Sequence, residues 1–299
     1  MAPDRTAIEM TGLTKWYGRR LGVEDISFDV GPGCVTGFLG PNGSGKTTVI
    51  RMLLGLISIT RGSASVLGTD VASAPASLRG EIGYLPGVFG LPKNRTVREH
   101  LSFLSSIRRT DAMPRAIELC ERFGLSPDAR IGSLSKGTRQ KIGVVQAFMH
   151  SPRVLILDEP TSGLDPLVQR EFEDLLGEAR DAGAAVLLSS HVMHEVEVLA
   201  SRVAIIDKGH LLVIDDMAAL KARTSRTVTF TFSETVDQSV FAGREGVRSV
   251  TVSGRDLTVT VVGPAAEVLQ AAGEHGAMSV VSHEPSLEDV FYDVTDGAN

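Results

Sequence analysis

Cysteine, tryptophan and long apolar runs are all scarce in this chain. Two cysteines in 299 residues, Cys34 and Cys120, exclude a disulfide framework and leave reduced, buried thiols as the expected state. No stretch approaches the roughly 18 consecutive apolar residues needed to span a bilayer. The longest runs, such as Ala184–Leu188 and Val203–Ile206, are strand-sized. The opening MAPDRTAIEM lacks the apolar core of a signal peptide, so the chain is expected neither to be secreted nor to cross a membrane by itself. An excess of positive charge is also missing. Thirty Lys and Arg stand against 36 Asp and Glu, a net charge of −6, so no basic surface draws the whole molecule to nucleic acid or anionic lipid.

The acidity that is present is unevenly placed. Residues 224–299 hold 11 acids and 4 arginines, whereas residues 1–223 carry a net charge of only +1. The texture changes at the same point, from longer segments to short alternating strands. Length alone suggests two domains, and the boundary is placed near 222, giving domains 1–222 and 223–299.

Within the first domain, Val35–Leu39, Val154–Leu157, Ala184–Leu188 and Val203–Ile206 are continuous apolar, β-prone runs. They are separated by segments of helical spacing, such as Leu167–Ala182 and Met193–Leu199. That alternation predicts an α/β fold whose mainly parallel sheet is covered on both faces. Residues about 93–150 are mostly helical in pattern and read as an insertion into this core.

The run Gly40-Pro41-Asn42-Gly43-Ser44-Gly45-Lys46-Thr47 fits G-x-x-x-x-G-K-[ST] throughout, with Thr48 next in the following helix. Its glycines let backbone N–H groups converge on phosphate oxygens, and the helix adds its positive end. Lys46 supplies a cation to the β- and γ-phosphates, and the Thr47 hydroxyl can ligate Mg²⁺. A strand before the loop and a helix after it supply the context the mechanism requires. Further along, Asp158-Glu159 closes the apolar run Val154–Leu157. At a strand's carboxyl end beside a phosphate loop, Asp158 can hold Mg²⁺ through a water, and Glu159 can reach the water attacking the γ-phosphate.

Residues about 6–220 then resemble the nucleotide-binding subunit of an ATP-binding cassette (ABC) transporter, with that family's landmarks in that family's order. Leu134-Ser135-Lys136-Gly137-Thr138 resembles the signature sequence, Ser162-Gly163-Leu164-Asp165 the D-loop, and His191 the switch histidine. Tyr17, in Lys15-Trp16-Tyr17-Gly18, takes the place of the aromatic that stacks on adenine, with Trp16 as a neighbouring competitor. The resemblance implies a P-loop NTPase cassette that binds ATP and Mg²⁺ and hydrolyses ATP, with Glu159, His191 and Lys46 as its catalytic residues. It also implies a head-to-tail pair, a homodimer or a paired ATPase subunit. Ser135, Gly137 and Asp165 of one copy then close on the nucleotide of the other. Ser135 and Gly137 are read as lying just ahead of a helix over Thr138–Met149, where a hydroxyl and free amides can receive phosphate. The implied setting is cytoplasmic, peripheral on the inner face of the membrane, beside a separate transmembrane permease. A cassette ATPase acting on the ribosome or DNA is the other reading. It is disfavoured by the absence of a second cassette, a long coiled-coil insertion or a concentrated basic patch.

Three positions depart from the family pattern. Gly87, in Ile82-Gly83-Tyr84-Leu85-Pro86-Gly87-Val88, stands where a glutamine usually contacts the metal and the attacking water. Slower or differently coupled hydrolysis is therefore expected. Lys136 replaces a signature glycine, either adding a cation near the partner's nucleotide or projecting into solvent, and Thr138 replaces the signature glutamine. The string His191-Val192-Met193-His194-Glu195 invites a metal reading, yet it matches no zinc-binding pattern.

The last 75 residues alternate apolar and polar positions over Thr227–Phe232, Val247–Val252 and Leu257–Val262. With helical segments near Val236–Phe241 and Pro264–His275 and a strand at Met278–Val281, they suggest a small α+β ferredoxin-like domain. The ending Ser286-Leu287-Glu288-Asp289-Val290-Phe291 resembles the tail of drug- and antibiotic-export ATPases of the same family.

Overall fold

The computed structural model describes residues 6–88 and 90–296. The first five residues of the amino-terminal segment read above lie outside that range. The chain divides into two compact units between Ile214 and Asp215.

In the first unit, β1 (Ile8–Tyr17), β2 (Arg20–Val30) and β3 (Val35–Leu39) lead into α1 (Lys46–Leu53), then β4 (Arg61–Val66), β5 (Thr69–Asp70) and β6 (Ile82–Leu85). Three helices follow, α2 (Val97–Arg108), α3 (Met113–Arg122) and α4 (Lys136–Phe148). The core resumes with β7 (Val154–Asp158), α5 (Pro166–Asp181), β8 (Ala185–Ser190), α6 (Met193–Leu199), β9 (Arg202–Asp207) and β10 (His210–Asp216), whose last two residues fall past the division between the units. The ten strands form one sheet in the order β5-β4-β1-β2-β10-β9-β3-β8-β7-β6. Strands β6, β7, β8, β3 and β9 pair in parallel, whereas β1, β2, β4 and β5 make an antiparallel wing.

Every residue of β3, β7 and β8 is buried, as a parallel strand covered on both faces requires. On one face α1 presents Val49, Ile50, Met52 and Leu53 to the sheet. Phe28 and Phe38 meet there with ring centroids 5.5 Å apart. Burying a side chain of this size contributes about 1.5–3 kcal/mol, so these central strands form a stiff platform whose carboxyl ends hold the site.

The helical segment is capped at its start and tied to the core through α3. At the start of α2, Thr96 Oγ1 accepts from the Glu99 N–H (3.2 Å) while Glu99 Oε2 accepts from the Thr96 N–H (2.8 Å), a reciprocal capping box. Arg122 of α3 donates to Glu171 and Glu178 of α5 at 3.0 and 2.7 Å.

The second unit contains α7 (Met217–Arg223), β11 (Ser225–Thr231), β12 (Val247–Ser253), β13 (Asp256–Val262), α8 (Ala266–Glu274), β14 (Ser279–His283) and α9 (Leu287–Asp296). Its four strands are antiparallel in the order β12-β13-β11-β14. Phe230, Phe232 and Phe241 fill its core together with Val228, Val259 and Val268. The helix expected near Val236–Phe241 is a single 3₁₀ turn, Gln238–Val240. Asp237 starts it by accepting from the Ser239 N–H (2.7 Å), and Gly243 and Gly246, both at positive φ, turn the chain away soon after. Between β11 and β12 the chain therefore makes one 3₁₀ turn where the sequence suggested a helix.

Candidate active site

The carboxyl ends of β3, β7 and β8 converge on a cleft of about 790 Å³. Its floor is the loop between β3 and α1. Gly45 caps α1 at φ +116°, a conformation that L side chains rarely adopt, and a Cβ there would lie 2.3 Å from Val23. Asn42, Gly43, Gly45, Lys46, Thr47 and Thr48 line the cleft. Gly40 and Ser44 are buried beneath it, and Pro41 is exposed at the turn, where its carbonyl accepts from the Ser44 N–H (3.2 Å).

Lys46 is buried, its ammonium donating to the carbonyls of Gly40 (2.5 Å) and Pro41 (3.2 Å). Burial holds its pKa below the usual lysine range, opposed by the carboxylates of Glu159 and Asp158. Ser44 is 2% exposed and its buried Oγ has no hydrogen-bond partner, so this floor holds an orphaned buried hydroxyl as well as a buried cation.

The acid pair ends β7. Asp158 is 5% exposed. Its Oδ2 accepts from Thr47 Oγ1 at 3.0 Å, and its Oδ1 accepts from Ser189 Oγ at the end of β8. Glu159 follows at φ +52°, a strained conformation for a residue with a side chain. Its N–H donates to the Ser189 carbonyl (3.0 Å) and its Oε2 lies 2.7 Å from His191 Nδ1. An ionised carboxylate only accepts, so Nδ1 carries the proton in that contact. Residues 158, 159 and 191 thereby share one rim, and Lys46 sits on the floor beside them.

Tyr17 lines the same cleft and is 45% exposed, its ring lying over Gly22. Trp16 is similarly exposed and does not line it. Gly87 also lines the cleft, and a Cβ there would lie 3.2 Å from the Asp158 carbonyl and 3.5 Å from Oδ2. The loop therefore touches the acid with bare backbone.

Other expected residues stand apart from this rim. Ser135 caps α4, accepting from the Thr138 N–H at 3.1 Å, and Asp165 caps α5, accepting from the Val168 N–H at 3.0 Å. Neither lines the cleft, and nor does Gly137. The helix begins at Lys136 rather than Thr138, so Gly137 sits inside its first turn instead of ahead of it. The reason is the Ser135 cap, which satisfies the first turn two residues earlier than the apolar pattern indicates. Lys136 does reach the cleft.

Arg20, Arg51 and Tyr84 line the cleft as well and were not singled out from sequence, and Ser162, the first residue of the D-loop resemblance, lines it too. Arg51 was within reach of such reasoning, because Thr47, Thr48 and Arg51 fall at i, i+1 and i+4 on one helix. Among the described residues no group of three or more His, Cys, Asp or Glu could hold a metal. His194 is exposed on α6, away from any such cluster.

A strand–glycine-loop–helix with a buried lysine, and two acids closing a neighbouring parallel strand, define a P-loop nucleotide hydrolase. Residues 23–162 match the ABC transporter family. The chain is 33% identical over 298 residues to the Nod factor export ATP-binding protein I of Rhizobium sp. (strain N33), covering 97% of each chain. It is 37% identical to the bacitracin transport ATP-binding protein of Bacillus licheniformis, over 77% of this chain and 76% of that one. It is 31% identical to the linearmycin resistance ATP-binding protein of Bacillus subtilis (strain 168), over 96% and 98%. Among solved structures, an ATP-binding subunit of an ABC transporter superposes with a TM-score of 0.69 at 29% identity, over 72% of this chain and 92% of that one. A dimeric bacterial ABC transporter cassette, 20% identical, shares the fold with a TM-score of 0.63, over 70% and 98%. The chain belongs to the family of ABC transporter ATP-binding proteins and is an ABC-type ATPase.

Proposed function

We propose that this ATPase energises export through a separate transmembrane permease. The observation that carries export, beyond ATP hydrolysis, is the length of the likeness: it runs over 97% of the chain in an export ATP-binding protein and so takes in the second unit as well as the cassette. No helix among the described residues is long and apolar enough to cross a membrane. In this reading the chain works from the inner face of the membrane, docked on a permease that supplies the path.

The adenine stacks on Tyr17 and the phosphates occupy the loop 40–47. The Lys46 ammonium turns from the carbonyls of Gly40 and Pro41 toward the β- and γ-phosphate oxygens, and the Ser44 hydroxyl gains an acceptor. Thr47 Oγ1 and Asp158 Oδ2, 3.0 Å apart, are hard oxygen donors that would hold Mg²⁺, the hydroxyl directly and the carboxylate through a water. This ion commonly takes one or two protein ligands and completes its shell with phosphates and water. When bound it neutralises charge on the β- and γ-phosphates. Glu159 accepts a proton from the water that attacks the γ-phosphorus. The bond to the bridging oxygen breaks, and ADP leaves with that electron pair. His191 orients Glu159 through the 2.7 Å contact.

A second copy arranged head-to-tail places its Ser135, Gly137 and Asp165 over this site. The exposed start of α4 offers amides and a hydroxyl to the γ-phosphate across that interface. Lys136 adds a cation at the same place.

The reading is tested by co-purification with a polytopic membrane protein whose transport is measured beside the Glu159→Gln variant. Loss of both transport and turnover supports it. Transport that persists while turnover is lost removes the coupling role.

A further inference from the structure

Ser189 bonds to both acids of the pair with two different groups. Its side chain is fully buried at the end of β8, and its hydroxyl donates to Asp158 Oδ1. Its carbonyl, on the same residue, accepts from the Glu159 N–H at 3.0 Å. Strand register makes this possible, since Asp158 and Ser189 are partners in the parallel pairing of β7 with β8.

We propose that Ser189 is a positioning residue that sets the carboxylate plane of Asp158 for the divalent cation while its main chain holds Glu159 in its left-handed conformation. The proposal rests on the reading of Thr47 and Asp158 as the metal ligands.

A carboxylate rotates freely about its terminal torsion unless something pins an oxygen. Two hydroxyls pin this one, Thr47 on Oδ2 and Ser189 on Oδ1. Thr47 Oγ1 and Oδ2 are the oxygens that would face the ion, a hydroxyl being able to ligate through a lone pair while it donates its hydrogen. Oδ1 lies outside that pair, and the Ser189 hydroxyl holds it. Across the cleft Gly87 meets Asp158 with backbone alone. Partners of metal ligands at one remove fix ligand orientation in this way. His191 lies two residues further along the same chain and contacts the Glu159 side chain. Residues 189–191 therefore place the metal ligand, the backbone of the base and the base itself.

The test uses the full chain with Ser189→Ala and with Ser189→Cys, which nearly preserves volume and replaces the hydroxyl with a weak donor. ADP binding is measured by calorimetry in EDTA and again across a Mg²⁺ titration, and phosphate release is followed over the same titration. In both variants ADP affinity in EDTA stays at the wild-type value. The Mg²⁺ concentration for half-maximal enhancement of binding and of turnover rises by about 10- to 100-fold. An unchanged Mg²⁺ requirement overturns the proposal, as does loss of ADP binding in EDTA by the cysteine variant, which would mark Ser189 as general scaffolding. A wild-type protein whose ADP binding ignores Mg²⁺ instead removes the metal reading of Thr47 and Asp158, and this proposal with it.

Discussion

Glu159 Oε2 and His191 Nδ1 face each other across 2.7 Å, one at the carboxyl end of β7 and the other just past the end of β8. The acid is set in a left-handed backbone and the imidazole is half exposed, so the pair meets at the mouth of the cleft and not inside it. Glu159→Gln is expected to lower phosphate release by about 10²–10⁴-fold, as loss of a positioned general base does. ATP binding is retained. His191→Ala is expected to act through the same contact, so the double variant loses little more than Glu159→Gln alone. Multiplicative losses in single-turnover rates would show that the two residues act separately.

The bare loop at Gly87 yields a second prediction. A side chain there starts 3.2 Å from the Asp158 carbonyl and can be admitted with a shift of a few tenths of an ångström. Gly87→Gln then brings an amide toward the attacking water, and turnover is expected to rise by on the order of two- to ten-fold. Steady-state kinetics at saturating ATP and Mg²⁺ decide this. A fall in kcat means that the loop backbone is already optimal as glycine.

Tyr17 and Trp16 are adjacent aromatics of similar exposure, and only Tyr17 lines the cleft. Tyr17→Ala is expected to weaken ATP binding by about 1–3 kcal/mol, roughly 5- to 150-fold in Kd. Tyr17→Phe should hold near wild type, and Trp16→Ala should leave affinity unchanged. Equilibrium binding to the three variants separates base stacking from local packing.

His150 supplies a pH prediction away from the site. Its Nε2 reaches the Ile82 carbonyl at the start of β6 (3.3 Å), and burial, reinforced by Arg108, pushes its pKa from 6.5 down to about 4. The unfolded chain therefore binds this proton at higher pH than the folded one. Stability from this residue is full above about pH 6.5 and declines as pH falls toward 4. In thermal melts between pH 7 and pH 5, His150→Gln is expected to lose less stability than wild type. Equal slopes would remove the assignment.

What could be read beforehand follows from how the residues are used. The phosphate loop and strands β3, β7 and β8 were legible because continuous burial forces continuous apolar sequence, and because a phosphate cradle tolerates few residue types. The antiparallel wing was not. In β1 the pairing register shifts between Met10 and Leu13 and again near Lys15, so inward positions do not recur at a period of two. Ser189 was missed for a different reason: a serine just past an apolar run reads as the plain end of a strand until its hydroxyl is seen on Asp158. The capping work of Ser135 and Asp165 was likewise hidden behind their resemblance to trans-acting residues, since one side chain can serve a helix end before it serves a partner.

The start of α4 touches the turn that follows Glu159 at two points. A Cβ on Gly137 would lie 2.7 Å from the Gly163 carbonyl, and buried Gln140 donates to the Pro160 carbonyl at 3.0 Å. Ser162, inside that turn, donates its N–H back to the Glu159 carbonyl (3.2 Å). One of these contacts is main chain against main chain and the other a buried amide on a carbonyl, so the helix that carries the signature residues and the turn that carries the catalytic acid are packed as neighbours within one cassette.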